Sequence, residues 1–327
     1  MTSEHIGRVT YPSRASEAYI DDLLSSVDAD AIRRRAPRLV LNYGHSPASL
    51  IVPSLIGALG VELIGLNGFV ETSDIRVPTG REEAAAETSR VVTAVGADIG
   101  VVMDVSAERI WLVDDRGTPM DAESTLLLLL QEIAGQTDEG DLLVPIVETS
   151  LVESVVDGAS HRITRTKASL GDLLAKAAGR PAVFAGASSG GYVFPDFLPA
   201  YDAMASLCKL LELLAPVKPP LSSLVAELPV STLVHRQLPC PWSQKGTVMR
   251  VLTERLKGRD LDLLDGIKIN DRRGWAQVLP DPDEPLVHIY AEGATEEASV
   301  ELEAELRAMV DEIMETEGAA TAAGASS

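Results

Sequence analysis

The stretch that decides the fold is Gly96-Ala97-Asp98-Ile99-Gly100-Val101-Val102-Met103-Asp104, in which an apolar run lies between a glycine and an aspartate. Gly96 is a stop signal for the helix predicted before it, and residues 98–103 have the composition of a buried strand. Thr79 and Glu82 have the spacing of a capping box, which predicts that this helix begins there. A capped helix that leads directly into a buried strand indicates one repeat of an α/β domain.

The same alternation of strands and helices continues on both sides of this stretch. Further strands are predicted at residues 38–42, 61–66 and 109–113, and further helices begin near Pro47 and after Asp121. Alternation at these lengths predicts an α/β domain with a largely parallel sheet. We place this domain at residues 36–136, after a lead-in segment at residues 1–35 that contains one short amphipathic stretch.

Two more domains are predicted downstream. Residues 137–229 repeat the strand–helix alternation, which indicates a second α/β domain. Residues 230–316 have a different order, in which a strand and a helix precede three strands and a long helix, so they predict a smaller α+β domain. Residues 317–327 are an Ala/Gly/Ser run expected to be disordered. The predicted fold class is therefore α/β, with two consecutive α/β domains followed by an α+β domain.

Composition excludes several classes of function. The formal net charge of −21 would repel a phosphate backbone, so we expect no nucleic-acid partner. The longest leucine run, Leu126–Leu130, is too short to span a bilayer, and the first residues lack the apolar core of a signal peptide. Cys208 and Cys240 have no metal-ligand spacing and are interpreted as buried thiols. We expect a cytoplasmic protein without a membrane partner.

Three stretches, in this order, resemble motifs of the α-D-phosphohexomutase (phosphomannomutase/phosphoglucomutase) family. They are the quoted residues 96–104, the glycine-rich residues 184–194 and the C-terminal residues 265–292. The resemblance implies the second, third and fourth domains of a four-domain fold, at residues 36–136, 137–229 and 230–316. The family's first domain supplies a phosphorylated catalytic serine, and no Thr-Ala-Ser-His-type loop occurs in this sequence. The resemblance therefore implies no catalytic residue here, and an intramolecular phosphotransferase (isomerase) only if another chain completes it.

The first of these stretches leads into the loop that binds metal in the family. Its Asp-x-Asp-x-Asp-Arg pattern appears here as Asp104-Val105-Ser106-Ala107-Glu108-Arg109. Magnesium prefers several oxygen ligands in an octahedral array, and Ser106 is a weak ligand while Glu108 is longer than an aspartate. Asp104 and Glu108 are the candidate ligands, for a Mg²⁺ site that is weak at most, and no other cofactor is expected. The alternative is a solvated turn between two strands.

The second stretch resembles the family's sugar-binding loop and reads Gly186-Ala187-Ser188-Ser189-Gly190-Gly191. Ala187 replaces the glutamate that holds sugar hydroxyls in the family, and Gly191 replaces its histidine. Ser188, Ser189 and Gly190 remain as candidate substrate-binding residues, and the backbone of the loop is suited to bind an anion. Arg165 and Lys167, on a preceding strand, are the nearest basic candidates, with a solvated strand end as the alternative interpretation.

The third stretch resembles the family's phosphate-binding loop and reads Leu279-Pro280-Asp281-Pro282-Asp283-Glu284-Pro285. The family cradles phosphate with Arg, Ser, Gly and Thr. Leu279 stands at the position of the arginine, and aspartates occupy the loop. Two carboxylates close to a phosphate dianion would repel it by a few kcal/mol, on the order of 1 to 4 kcal/mol for each pair of charges at about 4 Å. The charge of this loop is therefore inverted.

The same residues allow other interpretations. Residues 186–190 also match the G-x-S-x-G nucleophile elbow with Ser188 as nucleophile, but that motif requires a helix directly after the serine, and residues 192–195 are extended and aromatic. His161, His235 and His288 lie on strands with no ligand spacing and are interpreted as packed histidines. Trp242 and Trp275 are expected to anchor the core of the last domain.

These observations predict a pseudoenzyme: a structural or regulatory module of sugar-phosphate and sugar-nucleotide metabolism. Residues 279–286 look similar to the mutase-like region of bacterial mannose-1-phosphate guanylyltransferase-like fusion proteins, which implies a sugar nucleotidyltransferase domain as partner. The alternative is a phosphomannomutase or phosphoglucomutase completed by a separate chain, with a sugar phosphate as ligand. Leu23, Leu24 and Val27 are expected on one apolar face, which predicts self-association or partner binding through residues 18–27.

Overall fold

The computed structural model describes residues 14–69, 80–179 and 181–324, with side chains described as far as Thr316, and the chain divides into two compact units. The first unit contains the described residues up to Thr125 together with Ser189–Ala226. The second contains Leu126–Ser188 and the described residues from Glu227 onward. The segment predicted as one domain at residues 137–229 is therefore divided between the two units.

The strands follow the predicted order closely, with two short additions. They are β1 (Arg38–Asn42), β2 (Glu62–Leu66), β3 (Ile99–Met103), β4 (Ile110–Val113), β5 (Gly140–Pro145), β6 (His161–Thr166), β7 (Ala182–Gly186), β8 (Tyr192–Val193), β9 (Val234–Pro239), β10 (Asp260–Asp262), β11 (Ile267–Asp271), β12 (Gly274–Pro280) and β13 (Leu286–Gly293). The prediction for β1 is confirmed to the residue. The two additions are β8 and β10.

The helices also follow the predicted order. They are α1 (Ala15–Ser25), α2 (Ala29–Arg35), α3 (Val52–Ala58), α4 (Arg81–Val95), α5 (Ala122–Gln136), α6 (Leu151–Ser154), α7 (Leu170–Gly179), α8 (Ala203–Leu214), α9 (Leu221–Glu227), α10 (Trp242–Arg255) and α11 (Glu296–Gly324). Gly96 has φ +62° and ends α4, as predicted. The predicted cap at Thr79 lies outside the described residues. Helix α11 continues to Gly324, into the segment expected to be disordered.

The sheet of the first unit has the strand order β2-β1-β3-β4. Strand β1 pairs in parallel with β2 and β3, whereas β4 is antiparallel to β3. Every residue of β3 is buried, which explains why this strand is apolar throughout rather than alternating. A Cβ atom at Gly100 would lie 2.7 Å from the Val92 side chain, so glycine lets α4 pack closely on β3.

Helix α1 corrects one expectation about the lead-in segment. Leu23 is 0% exposed, and Leu24 and Val27 are partly buried, so their apolar face is covered within the first unit. The Tyr19 hydroxyl donates to Asp202 Oδ2 at 2.6 Å, and the Tyr19 ring packs edge-on against Phe197. The prediction that residues 18–27 offer an exposed apolar surface is therefore wrong, because this face packs onto the segment around helix α8.

The second unit contains two sheets. Strands β6, β5 and β7 are parallel neighbours, in that order. The C-terminal sheet is antiparallel throughout, with the order β10-β11-β12-β13-β9. Its core joins Val278 and Ile289 of the sheet to Val248 of α10 and Val310 of α11, so both helices cover one face. The other face carries the polar side chains that concern the site.

Several smaller predictions are settled by burial. Cys208 and Cys240 are buried free thiols, as predicted. Trp275 is buried, whereas Trp242 is 55% exposed, so the prediction that Trp242 anchors the core is wrong. No helix in the described ranges is both long enough and apolar enough to cross a lipid bilayer.

Candidate functional site

The loop between β3 and β4 is organised around Asp104. Its Oδ1 accepts hydrogen bonds from the backbone N–H groups of Glu108 at 2.7 Å and Arg109 at 2.9 Å. The Arg109 guanidinium lies 3.9 Å from Asp104 Oδ2. Asp104 therefore closes its own loop, in the way that an aspartate caps a turn. The side chains of Ser106 and Glu108 are exposed.

This donor set does not fit an octahedral magnesium ion. One oxygen of Asp104 already accepts two N–H groups, and its carboxylate has a cation beside it. Among the described residues, no three His, Cys, Asp or Glu side chains form a group suited to hold a metal. Magnesium sites need several converging oxygen ligands, which Asp104 and Glu108 alone do not supply. Weak Mg²⁺ binding at these two residues stays a prediction.

The second half of the glycine-rich loop lies beside the Asp104 loop in the first unit. The backbone N–H of Ile110 donates to the Gly190 carbonyl at 3.0 Å, and Arg109 forms an isolated bridge with Gly191. Gly190 has φ +87°, and a Cβ atom there would lie 2.8 Å from the Ile110 carbonyl, so this close approach requires glycine. Asp104, Arg109 and Gly190 are thus brought together, while the Ser189 side chain is exposed.

Tyr201 occupies the space at the position where the resemblance implies a histidine. A Cβ atom at Gly191 would lie 2.3 Å from the Tyr201 ring. The Arg109 guanidinium also lies over that ring, 5.9 Å from its centroid. A side chain at position 191 would collide with the tyrosine ring, so this position requires glycine.

The first half of the glycine-rich loop, in the second unit, contacts a buried carboxyl group that the sequence analysis missed. The backbone N–H of Ser188 donates to Glu148 Oε1 at 3.0 Å. Glu148 is 4% exposed, and burial raises its pKa, with the Ser188 hydrogen bonds and Arg165 acting in the opposite direction. This N–H is therefore not free to bind an anion. Since no helix begins directly after Ser188, which precedes the extended β8, the nucleophile-elbow alternative fails as predicted.

The Arg165 side chain makes its contacts within the second unit. Its guanidinium donates to the carbonyls of Pro145, Glu148 and Thr149 at 2.9–3.1 Å and pairs with Glu153 at 2.6 Å. Lys167 is exposed on the strand end, with its backbone N–H bonded to Asp172. The Arg165 guanidinium is therefore engaged in contacts within the unit, and the Lys167 side chain lies in solvent. Neither residue presents a cation that is both buried and free.

The loop between β12 and β13 is closed by its own aspartate. Asp281 Oδ1 accepts from the backbone N–H groups of Asp283 at 2.8 Å and Glu284 at 2.7 Å. The buried ammonium of Lys245 donates to the carbonyls of Asp281 and Glu284 and lies 3.7 Å from the centroid of the Trp242 ring. The two N–H groups inside this turn are therefore occupied by a carboxylate of the loop itself, and the nearby ammonium faces carbonyls.

A chain of hydrogen bonds continues from Asp281 across the polar face of the C-terminal sheet. His288 Nε2 lies 2.9 Å from Asp281 Oδ2, and His288 Nδ1 lies 2.9 Å from His235 Nε2. The His235 ring is stacked on Tyr290 with 4.3 Å between centroids. The His288 contact is the first cause that lowers the pKa of Asp281 to about 2. Burial, followed by the neighbouring His288, lowers the pKa of His235.

The geometry of this chain fixes the protonation pattern of both imidazoles when they are neutral. A carboxylate accepts hydrogen bonds only, so His288 carries its proton on Nε2 and leaves the Nδ1 lone pair free. His235 must then donate from Nε2 to His288, which leaves His235 Nδ1 without a proton. An Asp–His–His chain of hydrogen bonds thus extends from the loop that the resemblance assigns to phosphate binding.

Comparison with known proteins agrees with this architecture. Residues 17–117 match the phosphoglucomutase/phosphomannomutase alpha/beta/alpha domain II, and residues 121–231 match domain III. The chain is 29% identical over 323 residues to a probable phosphoglucosamine mutase from Methanopyrus kandleri, covering 95% of this chain and 70% of that protein. It is also 29% identical over 288 residues to a phosphoglucomutase/phosphomannomutase from Thermococcus kodakarensis, covering 86% of this chain and 62% of that protein.

Solved structures show the same fold. A phosphoglucomutase/phosphomannomutase family protein from Burkholderia thailandensis superposes with a TM-score of 0.77 at 20% identity, covering 91% of this chain and 64% of that one. Aspergillus fumigatus N-acetylphosphoglucosamine mutase, in complex with GlcNAc-6P and magnesium, superposes with a TM-score of 0.61 at 12% identity, covering 94% and 67%. At these identities the likeness shows the fold alone.

Two domain matches that together cover more than half of the chain, with the relatives above, define its class. The chain belongs to the phosphoglucomutase/phosphomannomutase family, whose proteins act in sugar-phosphate metabolism. It contains the family's domains II and III, followed by a C-terminal antiparallel sheet with its helices. The chain spans 62–70% of the length of these two relatives. The match to domain II begins at residue 17, within the segment predicted as a lead-in.

Proposed function

We propose that this chain is a non-catalytic member of the phosphohexomutase family, with a structural or regulatory role in sugar-phosphate and sugar-nucleotide metabolism. The observation that carries the proposal is the loop at residues 279–285. It contains no basic side chain, and its inner N–H groups are occupied by Asp281. A phosphate dianion there would meet carboxylates instead of donors.

The Asp104 loop supports the same proposal independently. Phosphoryl transfer depends on stabilising negative charge, and metal ions supply much of that stabilisation. The described donor set at Asp104 does not fit such an ion, and the Ser188 N–H is occupied by Glu148. Each of the three loops that the resemblance assigns to ligand binding thus makes internal contacts instead.

The proposed partner is a sugar nucleotidyltransferase, or a second copy of the chain. This part of the proposal is supported by the similarity of residues 279–286 to mutase-like regions that accompany nucleotidyltransferases. It does not use the α1 face, because Leu23 is buried. Affinity capture with a purified sugar nucleotidyltransferase tests the heterologous partner, and light scattering at increasing concentration tests self-association. A chain that remains a monomer and captures no nucleotidyltransferase would contradict the partner proposal.

A second candidate is a working mutase completed by a separate chain that bears a catalytic serine loop. The alignment to a probable phosphoglucosamine mutase over 95% of this chain favours it, and directs attention to amino-sugar phosphates. A neighbouring coding sequence for a serine-loop domain would support this candidate, and one for a nucleotidyltransferase would support the first.

Phosphorus NMR of glucosamine 6-phosphate with Mg²⁺ and a hexose bisphosphate activator tests the proposal directly. Glucose and mannose phosphates serve as parallel substrates. We expect no 1-phosphate signal above the control without protein. Turnover that the Asp281→Ala variant abolishes would overturn the non-catalytic proposal. Turnover that is unchanged in Asp281→Ala and Asp104→Asn would instead indicate a contaminating enzyme, and the chain itself would still be non-catalytic.

A further inference from the structure

A cavity of about 140 Å³ in the first unit is separate from all three loops. Its wall is mostly apolar and contains Pro37, Leu211, Leu214, Val217, Leu221 and Leu224. An apolar cavity of about 150 Å³ is large enough to hold benzene. The space therefore fits an apolar group of the size of one six-membered ring.

The position of this cavity distinguishes it from the candidate site. Pro37 directly precedes β1, and Asp98 and Ile99 lie at the start of β3, so the cavity is at the amino ends of these parallel strands. The Asp104 loop follows the carboxyl end of β3. Ligands of open α/β sheets usually bind at the carboxyl ends of the strands, so a site at the opposite edge is not the family's sugar-phosphate site.

Two cations, Arg35 and Lys218, lie at the rim of the cavity and are exposed. Neither side chain makes a hydrogen bond or an ion pair with the residues that the structure describes. Arg35 is at the end of α2, and Lys218 lies in the proline-rich segment between α8 and α9. An anionic group would gain from both charges without displacing an existing partner.

The two carboxylates in the lining are already engaged. Asp98 Oδ2 accepts the backbone N–H of Arg38 at 2.7 Å. Asp115 Oδ1 accepts the backbone N–H of Ser222 at 2.7 Å, and its Oδ2 accepts the Ser222 hydroxyl at 3.1 Å. These contacts connect α9 and the start of β3 to the rest of the unit. Hydrogen bonds to neutral donors do not remove the charge of these carboxylates, but they leave the apolar wall and the two cations as the groups available to a ligand.

We propose that this cavity binds a small carboxylate with an apolar body of about one six-membered ring. The ring lies against the leucine-rich wall, and the carboxylate lies at the rim between Arg35 and Lys218. This site does not depend on the function proposed above, because it shares no residue with the three loops.

The probe is benzoate, titrated into the full chain while leucine methyl signals are followed by NMR. Matched ligands are benzyl alcohol, which lacks the charge, benzylamine, which reverses it, and acetate, which lacks the ring. We expect saturable shifts of the Leu211 and Leu214 methyl signals with benzoate, binding of benzyl alcohol weaker by about threefold to tenfold, and no saturable shift with acetate. Equal or tighter binding of benzylamine would overturn the charge assignment, and the absence of saturable binding by benzoate would overturn the site.

Two pairs of variants separate a site from nonspecific attraction. Arg35→Gln with Lys218→Gln should reduce benzoate affinity to that of benzyl alcohol. The control Arg34→Gln with Lys257→Gln removes the same net charge outside the lining and should leave benzoate affinity unchanged. Leu214→Phe should weaken both ligands, because it fills the cavity, and circular dichroism confirms that it folds. If the first pair and the control pair have the same effect, the proposed site is wrong.

Discussion

Two loops that the resemblance assigns to ligand binding are each closed by an aspartate, but the two loops differ in the number of further contacts that hold them. Asp104 and Asp281 each accept two backbone N–H groups of their own loops. Around Asp104 the only further charged contact described is Arg109, at 3.9 Å. Asp281 is also bonded to His288, and Lys245 holds two carbonyls of its loop.

The difference lies in how many contacts hold each aspartate and its loop. In the Asp104 loop the aspartate contacts its own loop and Arg109. In the Asp281 loop the contacts extend to the neighbouring strand through His288 and to α10 through Lys245. We therefore expect the Asp281 loop to be the more costly to disturb.

The largest effect is expected for Lys245→Met. The substitution leaves the carbonyls of Asp281 and Glu284 without their donor, so the free energy of unfolding should fall by about 2 to 3 kcal/mol. Urea denaturation followed by circular dichroism measures the change. Lys257→Met, at an exposed lysine that follows α10, is the control and should change stability by less than about 0.5 kcal/mol. Equal effects of the two variants would contradict the role assigned to Lys245.

A smaller effect is expected for Asp104→Ala, which removes the acceptor for two N–H groups in a more exposed loop. The free energy of unfolding should fall by about 1 to 2 kcal/mol, as for loss of a helix cap. Glu108→Gln is the matched control, and its free energy of unfolding should be nearly that of the wild type.

Ser106→Asp with Glu108→Asp should raise Mg²⁺ affinity above that of the wild type, since it adds short carboxylates. Calorimetry that finds sub-millimolar Mg²⁺ affinity in the wild type, lost in Asp104→Asn, would refute the comparison.

The Glu148→Gln variant probes the buried carboxyl beneath Ser188. Because burial raises the pKa of Glu148, its protonated form favours folding, and that contribution is complete below the unfolded pKa of about 4.5. The contribution is lost as pH rises through the folded pKa. The variant should therefore be more stable than the wild type at pH 8, and this advantage should disappear toward pH 4. Melting temperatures across this range test the sign, and an advantage that grows on acidification would contradict it.

The smallest effect is expected for the His235–His288 pair. The folded pKa of His235 is lowered, so stability should decrease as pH falls below the unfolded value of about 6.5 and continue to fall through the folded pKa. His235→Gln should remove this decrease. Nitrogen NMR at pH 8 should show His288 protonated on Nε2 and His235 protonated on Nε2. A proton on Nδ1 of His288 would rule out the hydrogen-bond chain.

Local sequence predicted much of the fold because strong local signals agree with tertiary packing. Strand β1 and the glycine that ends α4 are examples in which apolar pattern and backbone conformation indicate the same result. The order of elements was correct as well. The burial of Leu23 was missed, because an amphipathic helix shows that one face is covered but not what covers it.

The contacts of the candidate site were harder to predict because they depend on strand register. His235 and His288 are far apart in sequence, and they meet only because β9 pairs with β13 in the register that sets His235 opposite Tyr290. Glu148 carries no motif, and its contact with Ser188 depends on the neighbouring strands β5 and β7. The inverted charge at residues 279–285 was visible in the sequence, whereas the closure of the loop by Asp281 was not.

A calorimetric titration of the chain with glucosamine 6-phosphate in the presence of Mg²⁺ tests whether the three loops bind a sugar phosphate. We expect no saturable heat at millimolar ligand, and the same result for the Asp281→Ala variant, because the carboxylates of Asp283 and Glu284 remain. Saturable binding by the wild type at sub-millimolar concentration, weakened in Leu279→Glu or in Asp104→Asn, would show that the loops bind a sugar phosphate and that the non-catalytic proposal is wrong.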